Sequence, residues 1–136
     1  MKSFKICLAL FILVIGGLIY IVYRSENLLM FKWFDYLCIS DYIMYFRDTC
    51  SKYSIPNFIQ YSLPDGLWAL SYMMIMGTIW DDRNLQKLLL VYTVPLVAIT
   101  LELSQIFFST LGTFDILDIL SYSMAIIIYQ LIQHLT

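Results

Sequence analysis

The chain has 136 residues, of which 61% are hydrophobic and 13% charged, against roughly 25% charged in an average soluble domain. Mean hydropathy is +0.78, and a fold this small exposes too much surface to keep so many apolar side chains from water. Water-soluble enzymes and disordered chains are thereby excluded, and a net charge of −2 lacks the basic footprint that nucleic acid requires.

The first apolar run covers 4–23 (FKICLALFILVIGGLIYIVY) and ends at Arg24. A bilayer core takes about 20 apolar residues per helix, so this run is long enough to cross. Lys2 and Lys5 imitate the start of a signal peptide. The apolar stretch is longer than a signal core, however, and no A-x-A pattern follows, which predicts a retained anchor.

The connection 24–62 is not an ordinary hydrophilic loop. Phe31, Trp33, Phe34 and Tyr36, then Tyr42, Tyr45 and Phe46, are rings that prefer the headgroup level. Ser40 is placed to cap a short helix over Asp41 to Cys50. The segment is expected to lie on the outer interface and cover the mouth of the bundle; the bland alternative is a lid that only fills space. Cys38 and Cys50 share the segment, and a disulfide between them is left open. Cys7, inside the first run, reads as a small apolar residue. One histidine and three scattered cysteines exclude the usual structural zinc sites.

A second span is expected over 63–80, stopped by Asp81-Asp82-Arg83, and a third over 85–108, kinked by Pro95 because proline removes a backbone hydrogen bond. Residues 109–113 read as a turn, and a fourth span occupies 114–135. The fold class is therefore all-α: an integral membrane four-helix bundle with an interfacial, aromatic-rich segment between helices 1 and 2, all in one domain. The eight Lys and Arg divide evenly. Lys2, Lys5, Arg83 and Lys87 are dense in short segments, and that density predicts cytoplasmic termini. No G-x-x-x-G pair marks a dimer interface, so the oligomeric state is left open.

Ionisable groups in a spanning helix are costly and normally face the bundle interior. Those of interest are Asp65, Glu102, Asp115 and Asp118, accompanied by Gln105. With the termini inside, Glu102 lies about 9 Å below the outer end of the third helix. Asp65 begins the second helix at that level, and Asp115 and Asp118 begin the fourth. Glu102 and Gln105, three apart, share a face. Each has a plainer reading: Asp65 behind Pro64 suits a first turn, and Asp115 and Asp118 suit a helix cap. Glu102 resists that explanation, since the dipole disfavours an acid near a helix C-terminus. Carboxylates below the headgroups cannot all stay charged and unpaired, so a proton, a basic residue or a metal ion must compensate. An all-oxygen set would select Mg²⁺ or Ca²⁺ over zinc.

Glu102-Leu103-Ser104-Gln105, followed by Gly112-Thr113-Phe114-Asp115-Ile116-Leu117-Asp118, resembles the signature of the VanZ-like membrane family. Its members pair a glutamate with a glutamine three residues on, near the end of a third helix, and open the last helix with an aspartate-containing turn. Asp65 matches an aspartate at the start of the second span. The chain departs from the pattern in lacking an arginine between Phe108 and Asp115, and in carrying Ser121, Tyr122 and Ser123 where asparagine and glycines are usual. Gly66 and Ala69 stand where the family often has lysine and histidine. The resemblance implies a bacterial inner-membrane protein linked to glycopeptide (teicoplanin) resistance or envelope processes.

The leading functional expectation is an outward-facing acidic pocket for a polar headgroup or cation, on an envelope lipid or lipid-linked precursor, lined by Asp65, Glu102, Gln105, Asp115 and Asp118. A phosphate would be repelled unless Arg24, Arg47, Lys52 or a divalent cation intervened. The alternatives are an accessory or structural membrane subunit, a small intramembrane enzyme using Glu102 and Asp118 as acid and base, and a cation-coupled transporter. No nucleophile beside a base and no HExxH motif is visible, which weighs against the enzyme.

Overall fold

The long apolar runs become long helices because nothing inside them breaks the backbone ladder, apart from one proline. A computed structural model describes residues 2–80, 85–108 and 112–135. Its helices are α1 (Lys2–Tyr23), α2 (Leu29–Tyr36), α3 (Ser40–Cys50), α4 (Leu63–Ile79), α5 (Leu85–Gln105) and α6 (Ile116–Leu135), with a π-helical turn at Phe58–Ser62. No strand occurs among the described residues. Three helices are long and apolar enough to cross a membrane: α1, α5 and, within α6, Ile116–His134. The charged turn expected at Asp81–Arg83 and the start of the turn at 109–113 lie outside the described residues.

The 17 residues of α4 span about 26 Å at 1.5 Å per residue, short of the roughly 30 Å hydrocarbon core. Helical structure nevertheless begins five residues earlier than the expected start at Leu63. Pro64 has no N–H to return to the Gln60 carbonyl, and its ring crowds that carbonyl. The turn widens instead, and the Leu63 N–H bonds to the Phe58 carbonyl in the five-residue spacing of a π turn. Pro64 therefore stands in the first turn of α4, as expected, with the π turn running directly into it.

Helix α4 is the common partner of the other long helices. It packs against α1, α5 and α6, whereas α1 makes no backbone contact with α5 or α6 among the described residues. The core accordingly runs along α4, through Ala69, Leu70, Met73 and Met74, and is completed by Ala9, Val91, Ala125 and Tyr129. Small residues set the close approaches. A Cβ at Gly66 would stand 2.9 Å from the Ser121 carbonyl on α6, and one at Gly16 would stand 2.9 Å from the Trp68 ring. Hydrogen bonds tie α4 to α1 and α5: Ser71 Oγ donates to the Ala9 carbonyl at 2.8 Å, and Tyr72 Oη to the Leu90 carbonyl at 2.8 Å, on the turn before Pro95. By contrast α5 buries only Val91 and Pro95. Its outer face of Leu89, Leu96, Val97 and Leu101 is suited to acyl chains rather than to water.

The connection holds two helices where one is expected. α2 closes at Cys38, whose φ of 55° is the left-handed geometry of a helix end. α3 begins at Ser40 itself, and Ser40 Oγ donates to the Asp35 carboxylate instead of capping, so the expected cap is corrected. α3 packs on α1, and neither α2 nor α3 makes backbone contact with α4, α5 or α6. α2 and α3 thus sit beside α1, and only the end of the segment, the π turn Phe58–Ser62, reaches α4 and α6. Cys7, Cys38 and Cys50 are all free, so the Cys38–Cys50 disulfide is not formed.

Candidate functional site

Four chain ends meet at one pole: the last turn of α1, the π turn and start of α4, the end of α5 and the start of α6. Arg24 continues α1, its N–H bonding to the Tyr20 carbonyl at 3.0 Å. That register aims its guanidinium across to α4. It lies 3.6 Å from Asp65 Oδ2, with the two side chains 28% and 21% exposed, and it donates to the Tyr61 carbonyl in the widened π turn at 3.0 Å. The rings of Tyr20 and Tyr61 flank it, at 5.1 Å and 5.3 Å from the guanidinium carbon. Asp65 is thus neutralised by a cation that is also held by two aromatic faces.

The second cluster is built by α5 and α6. Glu102 and Gln105 share a face, and Gln105 Nε2 donates to Glu102 Oε1 at 3.2 Å. α5 stops at Gln105 because its last carbonyls turn inward: Ser104 Oγ takes the Leu101 carbonyl at 2.6 Å, and the Phe107 and Phe108 N–H groups both take that of Ser104. The expected continuation to Phe108 is replaced by a turn. Gly112 then adopts φ +143°, and a Cβ there would come within 3.2 Å of Gln105 Cδ, so glycine lets the chain pass over the Gln105 amide.

α6 starts at Ile116, two residues after the expected 114, because Asp115 caps it. Asp115 Oδ1 accepts from the Leu117 N–H at 2.9 Å, the bond an N-cap makes, while its backbone N–H faces the Glu102 carboxylate. Asp118, one turn on, does not cap: its Oδ1 is buried without a hydrogen-bond partner, as is Glu102 Oε2. Asp65, Glu102 and Asp118 lie within one another's electrostatic reach. Among the described residues neither Glu102 nor Asp118 has an ion-pair partner.

All five sequence-derived residues therefore gather at this pole, in unequal states. Asp65 is paired, Asp115 is spent on a cap, Gln105 braces Glu102, and Glu102 and Asp118 each keep a buried oxygen unanswered. Tyr122, one turn beyond Asp118 and on the helical stripe expected from the spacing of Asp115, Asp118, Tyr122 and Tyr129, shares the field of Asp65, Asp118, Glu102 and Arg24. Sequence reasoning left Arg24 in the connection as one of several spare cations.

The chemistry open to this arrangement is that of an acceptor. Two buried carboxylate oxygens can take an ammonium group, N–H or O–H donors, or a shared proton. Among the described residues no group of three or more His, Cys, Asp or Glu side chains is placed to hold a metal ion. Ser121 Oγ, on α6, donates to the Asp118 backbone carbonyl at 2.8 Å. No family model, curated protein or solved structure matches this chain.

Proposed function

We propose that the chain is a multi-pass protein of a bacterial cytoplasmic membrane whose outward-facing acidic pocket binds the cationic or hydrogen-bond-donating part of a polar headgroup. The ligand class is an envelope lipid or lipid-linked precursor, as the VanZ-like signature suggests. One observation carries the reading: Glu102 Oε2 and Asp118 Oδ1 are buried without partners although Asp65, at the same pole, has an arginine. A buried acceptor left unmade costs about 1–3 kcal/mol, more for a charged group, and a bound donor would recover that cost. Four spans, by α1, the run Phe58–Ile79, α5 and α6, and cytoplasmic termini complete the reading. The continuous helical run through the π turn supports the second span.

Native mass spectrometry of the purified protein tests the pocket. Wild type should retain an amine-bearing or donor-rich headgroup lipid, and Glu102→Gln should lose it while keeping its helical circular dichroism. Equal retention by both proteins would remove the pocket from consideration. Reporter fusions after Ser62 and after Thr136 should report opposite sides of the membrane; the same side for both would overturn the topology.

A further inference from the structure

The connection between α1 and the π turn carries four cations, and the structure spends them unequally. Arg24 is held by Asp65. Arg47, on α3, is clamped by the Ile21 carbonyl, by Glu26 at 3.6 Å and by the Phe31 ring at 4.9 Å. Lys52 has no acidic partner among the described residues. It borders a cavity of about 400 Å³ between the last turn of α1, the end of α3 and the loop that follows. Ligand pockets run from about 300 to 1,000 Å³, so the volume accepts a headgroup.

The chemistry of the lining is uniform in sign. Arg47 and Lys52 supply positive charge, Ser51 and Ser54 supply hydroxyls, and no carboxylate lines the cavity. Tyr23 fixes two of its walls: its hydroxyl donates to the Tyr53 carbonyl at 3.1 Å, and its carbonyl accepts from Gln60 Nε2 at 3.4 Å. Because Arg47 is already anchored through part of its fork, its remaining N–H donors are presented without further loss of side-chain freedom. The cavity opens where the apolar run of α1 ends, and the rings of Tyr23 and the exposed Tyr53 are part of its lining. Rings of that kind mark the headgroup level. Phosphate is the abundant anion there.

We propose that this cavity is a phosphate site, distinct from the acidic cluster, in which Lys52 and Arg47 neutralise the phosphate and Ser51 and Ser54 donate to its oxygens. The phosphodiester of an anionic phospholipid and free inorganic phosphate share this chemistry, and the experiment separates them. Full-length wild type, Lys52→Glu and Lys32→Glu are placed in nanodiscs of phosphatidylcholine doped with phosphatidylglycerol, and retained lipid is counted by native mass spectrometry. Wild type should retain phosphatidylglycerol preferentially. Lys52→Glu should cut that preference about fivefold or more, the scale of one basic residue at an anionic surface. Lys32→Glu, which alters an exposed lysine of α2 away from the cavity, should leave it unchanged. Displacement of the lipid by millimolar inorganic phosphate would assign the site to phosphate as such, and resistance to displacement would assign it to the glycerolipid headgroup. An unchanged preference in Lys52→Glu, or an equal fall in both variants, overturns the proposal. Glu102→Gln should not affect this readout, so failure here and failure of the acidic pocket are distinguishable.

Discussion

Two carboxylate clusters share one pole of the molecule and stand in opposite electrostatic conditions. On the α1–α4 side, Asp65 is met by Arg24 at 3.6 Å, and the arginine is steadied by two tyrosine rings. On the α5–α6 side, Glu102 is met by the Gln105 amide and the Asp115 backbone N–H but by no cation, and Asp118 keeps a buried oxygen with nothing on it. The first cluster explains itself as structure: it ties the end of one helix to the start of another. Both sides keep a buried polar atom unanswered, Arg24 Nε in the first and Glu102 Oε2 and Asp118 Oδ1 in the second, but only in the second are these carboxylate oxygens with no cation among the described residues.

That contrast can be broken by substitution. The largest effect is expected at Arg24. Arg24→Met leaves Asp65 without its cation and should lower stability by about 3 kcal/mol, the low end for breaking a buried pair because both side chains keep some exposure. Adding Asp65→Leu should recover most of the loss. Reversible unfolding in mixed micelles, followed by tryptophan fluorescence, measures both; equal losses in the single and double variants would deny the pair its structural role.

A smaller effect separates the two aspartates of α6. Asp115→Ala removes the helix cap and should cost about 1 kcal/mol, whereas Asp115→Asn, which can still accept from the Leu117 N–H, should cost far less. If Asp118→Asn destabilises as much as Asp115→Ala, then Asp118 also serves the fold and the contrast is blunted. The smallest effect is expected at Glu102. Glu102→Gln removes a charge that has no ion-pair partner, so stability should stay within about 0.5 kcal/mol of wild type or rise. A fall of the size expected for Arg24→Met would reveal an unseen partner.

The parts legible in the sequence were those governed by local pattern. The apolar runs located α1, α5 and α6, and the E-x-x-Q and D-x-x-D spacings placed Glu102, Gln105, Asp115 and Asp118 at one pole. Element ends were less legible. Pro64 suited a helix start and stands in the first turn of α4, but no local rule signalled the π turn ahead of it. Ser40 suited a cap, but Asp35 was a nearer acceptor for its hydroxyl. The aromatic segment signalled the headgroup level, but aromatic density carries no information on which helix it docks against, and α3 chose α1. Least legible was the pairing of Arg24 with Asp65. The two are far apart in the chain and meet only because α1 and α4 pack, so local spacing could not rank Arg24 above Arg47 or Lys52.

The position of α4 as sole shared neighbour of α1, α5 and α6 also sets an order of assembly. During synthesis α1 enters the bilayer well before α4 is made, since the whole connecting segment lies between them. Until then Arg24 has no Asp65, and its long stem must carry the charge up toward the interface. Gly16 likewise waits for the Trp68 ring that seats against it. For helices that cross a bilayer, insertion and docking are separate stages, and α4, the shared neighbour of α1, α5 and α6, is the keystone expected to start the second. A nascent chain arrested after α4 should already join α1 to α4, as read by a crosslinker placed at Gly17, whereas one arrested at Ser62 should leave α1 solitary in lipid. Joining that required α6 would place the keystone elsewhere.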